Sequence, residues 1–468
     1  MRQIVLIAAL FLSIQASADV SSADFTDPWQ VYAHELLRDS VAFKSVRGEQ
    51  QLVPLVEFLA QKFVDAGFPD EDVRVLPLDS DGEPVASLVV RYRGSSTSKR
   101  PILFMAHTDV VAAAGEWQRD PFVLTEAAGY YWGRGVLDDK FATTILTTNF
   151  VRLKSEGFVP ERDLIIAFTG DEETMMLSTQ SLTEDHLDLI NAEFAFNLDA
   201  GAGRISADFK PIATFLQFAE KMYISFEVTA RHPGGHSAKP TLDNAIADLA
   251  RAITAIHDFD FPVRSNNETR TYFTEIGKLT DGELGEAMRQ FAADPHDQAA
   301  ANFLKAQPEQ VGITRTTCVP TLLSAGHAEN ALPESATLTV NCRVYPGVSV
   351  AEVKQTLQEV INDPAIEISA VEEYLPSPAS IIRDDIYPLI DAAMPEQYSG
   401  VPIVPFMAPY TTDGIYFRRA GIPTYGLYGM FLRDGEDQSH SSNESMPIDR
   451  FYEALDFWYR LTQSASAL

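Results

Sequence analysis

The sequence predicts an α/β protein in two parts: a mostly parallel sheet flanked by helices, and a ferredoxin-like βαββαβ unit inserted within it. Three observations predict it. Short apolar strands alternate with amphipathic helices from Asp19 to about Gln217. The order strand, helix, strand, strand, helix, strand then runs from Met222 to Tyr374, and after Pro376 the first pattern resumes. A chain of 468 residues exceeds what one core usually holds. The expected organisation is therefore a leader at 1–18, one domain made of 19–217 and 376–468, and a second domain at 218–375.

Taken in order, residues 53–68 carry Leu55, Val56, Leu59, Ala60, Phe63 and Ala66 at helical spacing. Residues 86–92 and 102–106 are apolar strands, 139–153 a helix with Phe141, Ile145 and Leu146 inward, and 164–169 and 194–198 strands again. In the inserted part, 222–230 alternates as a strand and 245–256 is a helix. Strands 316–325 and 336–345 flank a turn at 330–334, followed by a helix at 350–361 and a closing strand at 366–374. The stretch 258–314 reads as a polar, partly helical insertion without legible chemistry.

Arg2, the apolar run Ile4 to Ile14 and the small residues Ala16-Ser17-Ala18 read as a secretory signal cleaved after Ala18. The run is shorter than the ~20 residues a membrane span needs. The expectation is an exported protein, periplasmic in a Gram-negative cell or otherwise secreted, with no membrane anchor. Hydrophobic content of 46% with 10% aromatics describes a globular chain. The net charge of −30 and the lack of a basic stripe argue against nucleic acid and anionic membranes as partners. Cys318 and Cys342 have no metal-binding spacing. They stand twelve residues either side of Asn330, so an antiparallel hairpin centred there sets them face to face. A one-residue slip would part them. Free buried thiols are the expectation, with a disulfide as the alternative.

The chemistry lies in six residues spread over the chain: His107, Asp138, Glu172, Glu173, Asp199 and His440. Strand 102–106 runs into His107-Thr108-Asp109, which puts an imidazole at the carboxyl edge of a sheet, where α/β sites form. Asp109 is placed to take the other ring N–H. In 132–140 two glycines precede Asp138 and Asp139; either acid could simply cap the following helix, and Asp139 suits that role. Strand 164–169 leads into Gly170-Asp171-Glu172-Glu173, three acids that repel unless cations compensate. Strand 194–198 delivers Asp199 in the same way, and His440 sits in a polar loop. Two imidazoles and three carboxylates are what a pair of zinc ions needs, leaving Glu172 to move protons. The combination points to amide hydrolysis.

In order and local sequence these segments resemble the aminoacylase, carboxypeptidase-S and glutamate-carboxypeptidase family of two-zinc metallopeptidases, over essentially the whole mature chain. The resemblance implies a zinc-peptidase-like sheet and an inserted lid or dimerisation domain. It implies two Zn2+ per chain, with Co2+ or Mn2+ as substitutes. Asp138 would bridge the ions, His107 and Asp199 complete one site, and Glu173 and His440 the other. Glu172 would be the general base toward a water shared by both ions, and Asp109 its neighbour in the catalytic machinery. Within 232–240, His236 would donate to the developing oxyanion from the neighbouring subunit of a homodimer formed through the lid, with His232 as competitor. Asn330 and Arg343 match substrate-holding positions. The fork of Arg343 suits a carboxylate, against the plainer reading of a strand-edge surface arginine. Thr412 matches a pocket-lining loop. One departure stands out: the family usually continues with glycines after the paired glutamates, where this chain has Thr174-Met175-Met176-Leu177-Ser178.

The expectation is an exported di-zinc metallopeptidase, carboxypeptidase- or dipeptidase-like, acting on a small peptide or N-acyl amino acid with a free carboxylate. The alternatives are an aminoacylase-type deacylase and, in a different class, an inactive binding protein. The last is disfavoured because no ligand and no base is missing. The remaining histidines, at 34, 186, 257, 296 and 327, read as surface or packing residues.

Overall fold

The computed structural model describes residues 26–371 and 377–468. The leader and its cleavage site lie outside them, as does the end of the expected closing strand. Among the described residues, no helix is long and apolar enough to cross a membrane.

The first stretch runs through helices α1 (Pro28–Ala42) and α2 (Leu52–Asp65), then strands β1 (Val73–Ser80), β2 (Glu83–Tyr92) and β3 (Ile102–His107). Two short strands, β4 (Thr125–Ala127) and β5 (Tyr130–Trp132), precede α3 (Lys140–Ser155) and β6 (Leu164–Thr169). Helices α4 (Leu177–Glu184) and α5 (Leu187–Ile190) lead to β7 (Phe194–Asn197), β8 (Gly203–Ile205) and β9 (Pro211–Glu220). Helix α2 ends three residues before its expected limit because Gly67 takes φ +86°, a left-handed conformation that closes a helix cheaply. The Gly67 N–H then donates to the Val64 carbonyl and the Phe68 N–H to that of Phe63, whose rings pack edge to face.

The inserted part holds β10 (Met222–Arg231), β11 (Gly235–His236), α6 (Ala245–Asp258), α7 (Asn267–Leu279), α8 (Gly282–Ala293), α9 (Gln298–Lys305) and α10 (Pro308–Thr314). It continues with β12 (Thr317–Ala325), β13 (Ala331–Leu332), β14 (Ser335–Val344), α11 (Val350–Ile361) and β15 (Glu367–Ala370). The chain closes with α12 (Ile386–Ala393), β16 (Ile403–Ala408), α13 (Gly414–Arg419), β17 (Thr424–Gly426), β18 (Phe431–Arg433), β19 (Ser445–Pro447) and α14 (Ile448–Ala465).

One sheet has the order β1-β2-β6-β3-β7-β17-β9-β8-β18, with β16 added on β9. Its centre, β6-β3-β7-β17, is parallel, and antiparallel pairs flank it. The parallel strands are buried on both faces, which is why they read as unbroken apolar runs. Ile102, Phe104 and Ala106 of β3 join the core under α1, α2, α3 and α14, while Leu103 and Met105 pack with Leu182 and Phe417 on the other face. The second sheet, β12-β14-β10-β15, is antiparallel and covered on one face by α6 and α11, the ferredoxin-like order. The chain changes sheets at Lys221, since β9 continues to Glu220.

Three local expectations are corrected. The insertion is more ordered than its polarity suggested: α7 to α10 are amphipathic, and Phe273, Phe291 and Leu304 join the core of the second sheet. The turn at 330–334 contains β13, which pairs with β11. Cys318 and Cys342 are joined in a disulfide rather than free, because β12 pairs with β14 in the register that sets them opposite, with Cα atoms 4.0 Å apart.

Candidate metal centre

The carboxyl ends of β3, β6 and β7 converge, and His107, the acidic run after Thr169, and Asp199 project there. Two groups of ligand atoms result, His107–Asp138–Asp199 and Asp138–Glu173–His440, each with its atoms within 4.8 Å of one another. Asp138 belongs to both. Its Oδ1 lies 3.0 Å from His107 Nε2 and its Oδ2 3.0 Å from His440 Nε2. His107 Nε2 is also 3.8 Å from Asp199 Oδ1, and His440 Nε2 is 3.0 Å from Glu173 Oε2. One imidazole and two carboxylates per group, sharing one carboxylate, is a donor set that fits two borderline divalent ions.

The electrostatics point the same way. Burial and the neighbouring carboxylates Asp138 and Glu173 push the Asp199 carboxyl up to about 7, against the pull of His107. Burial also holds Glu172 well above the usual range, with Asp199, Asp413 and Glu173 adding to it against His107. His440 is raised to about 10 by its hydrogen bonds to Asp138 and Glu173. Burial would lower His107, yet hydrogen bonds to Asp109, Asp138 and Asp199 carry it well above its ordinary value. Acids packed this closely are costly without cations, and bound divalent ions would invert these shifts.

A second layer holds the ligands. The Asp109 carboxylate accepts the backbone N–H groups of Glu172 and Glu173, each at 3.0 Å. The His107 ring partner is chiefly the Asp109 carbonyl, 3.0 Å from Nδ1, with the carboxylate at 3.5 Å. Asp139 stands at the N-cap position of α3 without a side-chain cap bond; its Oδ2 accepts the His107 N–H instead. Asp171 is satisfied by Ser80, Ser178 and the Leu177 and Ser178 N–H groups, so only two of the three adjacent acids remain for chemistry.

Sequence reasoning gave Glu444 no role. Its fully buried carboxylate accepts from Arg134 at 2.6 Å and from the N–H groups of Gly135, Leu137 and Asp138. It thus ties the His440 loop to the backbone that presents Asp138. Gly135 has φ +87°, and a Cβ there would meet Lys140 and Val110 at 2.9 Å, so this turn needs glycine. The Lys140 ammonium is buried and donates to the Phe43 carbonyl, and burial lowers it to about 7. The signal available in sequence was Glu444's place four residues after His440.

A cavity of about 580 Å³ opens on the two ligand groups, walled by Glu172, Met176, Tyr410, Thr412, Tyr428 and Asp437 among others. Met176 adopts the left-handed φ of 52° where the family's glycines would stand, so the chain still turns, with a side chain in the wall. Thr412 is buried; its hydroxyl donates to Glu220 and accepts from Asn197. The other substrate candidates line none of this cavity. His236 is exposed on β11, opposite Ala331, and the Ser237 N–H donates to the Asn330 carbonyl, which groups His236 with Asn330. Arg343 lies near the far end of β14, stacked over Tyr223 at 4.9 Å. Arg343 stands eight residue steps along the strand from Ser335, roughly 26 Å. One chain therefore does not bring His236 and Arg343 onto the same small molecule.

Residues 103–464 match the model of peptidase family M20/M25/M40. The chain is 27% identical to probable carboxypeptidase S-like 2 of Dictyostelium discoideum over 390 residues, covering 81% of this chain and 74% of that one. It is 28% identical to the N-fatty-acyl-amino acid synthase/hydrolase PM20D1 of Homo sapiens over 388 residues, covering 80% and 76%. A metallo-carboxypeptidase of the M20 family from Sulfolobus solfataricus shares the fold at a TM-score of 0.66 and 16% identity, over 93% of this chain and 99% of that one.

Proposed function

The chain belongs to peptidase family M20/M25/M40, and from that premise we propose a two-metal amidohydrolase that cleaves a peptide or N-acyl amino acid bearing a free carboxylate. The observation that carries the reading is the pair of ligand groups sharing Asp138, with Glu172 in the wall of the same cavity. Asp138 would be shared by two divalent ions, with His107 and Asp199 holding one and Glu173 and His440 the other. Bound ions of this kind polarise the scissile carbonyl and acidify the attacking water. Glu172 takes a proton as the water oxygen bonds to the carbonyl carbon. It delivers that proton to nitrogen as the C–N bond breaks, leaving a carboxylate and an amine. Asp109 and Glu444 are positioning residues, acting through the backbone of Glu172, Glu173 and Asp138.

Arg343 receives the substrate carboxylate with Thr412 as a further substrate contact, and Asn330, beside His236, makes its contact from the second subunit. His236 reaches the oxyanion from the second subunit of a homodimer built through the lid, which accounts for its distance from Arg343. Similarity to N-fatty-acyl-amino acid synthase/hydrolases favours N-acyl amino acids as the substrate class. The reading includes export after cleavage at Ala18, and a disulfide suits an oxidising compartment.

A hydrolysis screen of dipeptides against N-acyl amino acids tests the reading, with zinc, cobalt or manganese restored after chelation. Metal-dependent release of a free amino acid is expected. A protein loaded with two ions that cleaves neither class would overturn it.

A further inference from the structure

A second cavity, of about 630 Å³, adjoins the metal cavity and shares Tyr410 and Asp437 with it. We propose that it is the subsite for the acyl arm of an N-acyl amino acid, and that its walls set the preferred chain length. The inference rests on the N-acyl reading above.

Its lining includes Gly201-Ala202-Gly203, two to four residues along the chain from Asp199, which lines the metal cavity. Its apolar wall is built by Phe215 and Phe406, whose rings meet at 5.8 Å, together with Met407. The helical insertion adds Tyr272 and Ile313 to the lining, giving that stretch a task its sequence did not disclose. The volume lies in the ~300–1,000 Å³ range of pockets that enclose whole small ligands.

Charge decides which end of the substrate fits. Of the three cations in the lining, Arg204 is paired with Asp434 and Arg433 with Glu436, while Lys221 is held by a backbone carbonyl. Asp437 stands at the junction, where it opposes entry of a substrate carboxylate. The Lys221 ammonium is almost wholly buried and donates to the Arg315 carbonyl at 2.8 Å. An arm that is uncharged along its length, the acyl chain, suits the wall of Phe215, Phe406 and Met407.

Gly312, on α10, gives the test a handle. It lines the cavity, and a Cβ there would meet only the Lys221 side chain, at 3.5 Å. Metal-loaded protein would be assayed with N-acetyl-, N-octanoyl- and N-dodecanoyl-phenylalanine. Gly312→Phe should lower the ratio of kcat/KM for dodecanoyl over acetyl substrate by ten-fold or more, by filling the space. Phe406→Ala, which removes wall instead, should shift the optimum toward longer chains, and it serves if Gly312→Phe does not fold. Ratios unchanged in both variants overturn the subsite while leaving N-acyl hydrolysis standing. A change in amino-acid preference without a change in chain-length preference also overturns it. If the unmodified protein cleaves dipeptides but no N-acyl amino acid, the N-acyl reading falls and the subsite with it.

Discussion

The carboxyl edge of the large sheet and the open side of the four-stranded sheet carry the two sets of candidate residues, and they are built to different standards. At the metal edge the imidazoles and carboxylates come from separate segments and are fixed by further carboxylates behind them: Asp109 under Glu172 and Glu173, Asp139 under His107, Glu444 under Asp138. On the other sheet His236 is exposed, and its Nδ1 accepts the N–H of Ala238 in its own turn. Strand β12 there presents Val319, Leu322 and Leu323 at 57%, 68% and 63% exposure. The first region is organised by this chain alone. The second is an exposed surface whose candidates, in the proposed reading, act when another molecule, substrate or second subunit, comes to it.

That contrast predicts its sharpest difference at the proton carrier. In the proposed mechanism Glu172 moves protons and binds no ion, so Glu172→Gln should retain the protein's metal and lose ~10²–10⁴-fold or more in kcat. His107→Ala should instead lose an ion along with activity. Elemental analysis beside the assay separates them; metal loss in Glu172→Gln with retention in Glu173→Gln would mean the two glutamates have exchanged roles.

The lid side comes next. His236→Ala should lower kcat by ~10²-fold, the usual cost of an oxyanion donor, with little change in KM. Mixing this variant with Glu172→Gln is the sharper experiment. Hybrid dimers would unite an intact base with an intact His236 across the interface and regain activity. No recovery at any mixing ratio would place His236 in its own chain's site or outside catalysis.

A smaller effect belongs to the backing layer. Glu444→Gln should weaken metal binding by ~10–100-fold, as loss of an outer-shell partner does. It should also destabilise the fold by ~3–5 kcal/mol, because Arg134 is left as an uncompensated buried charge. Chelator competition and chemical denaturation read the two effects. Full metal affinity in the folded variant would return Glu444 to a purely structural role.

How much of this was legible depended on where each residue stands on its element. His107, Glu172, Glu173 and Asp199 follow apolar runs that end in polar residues, a pattern that parallel strands buried on both faces impose on a sequence. Glu444 and Asp139 were not legible as partners, because Glu444 meets Arg134 and Asp138 only when a loop folds back over some 306 to 310 residues, and Asp139 meets the His107 N–H across 32. The insertion looked inert because α7 to α10 bury thin apolar stripes, with Phe273, Phe291 and Leu304 spread over three helices. Asp109 shows the limit of local reasoning: its neighbour two residues back takes the carbonyl, and its carboxylate serves the next strand's loop.

The disulfide offers the last and smallest test. It staples the edge strand β12 to β14 across a sequence separation of 24 residues. Closing a loop of that length stabilises by about 3 kcal/mol through the unfolded state. An unpaired edge carrying exposed leucines also invites association, which the bridge restrains by holding β12 in register. Cys318→Ala/Cys342→Ala should therefore lower the unfolding free energy of the four-stranded sheet by about that amount, and raise concentration-dependent aggregation. The metal edge is backed by its own carboxylates and shares no strand with this sheet, so metal content at low temperature should stay unchanged. Limited proteolysis across a denaturant series, read at β12 and at α3, resolves the regions. Equal loss of protection at both sites would show that one cooperative unit spans both sheets, and the contrast between them would then concern chemistry alone.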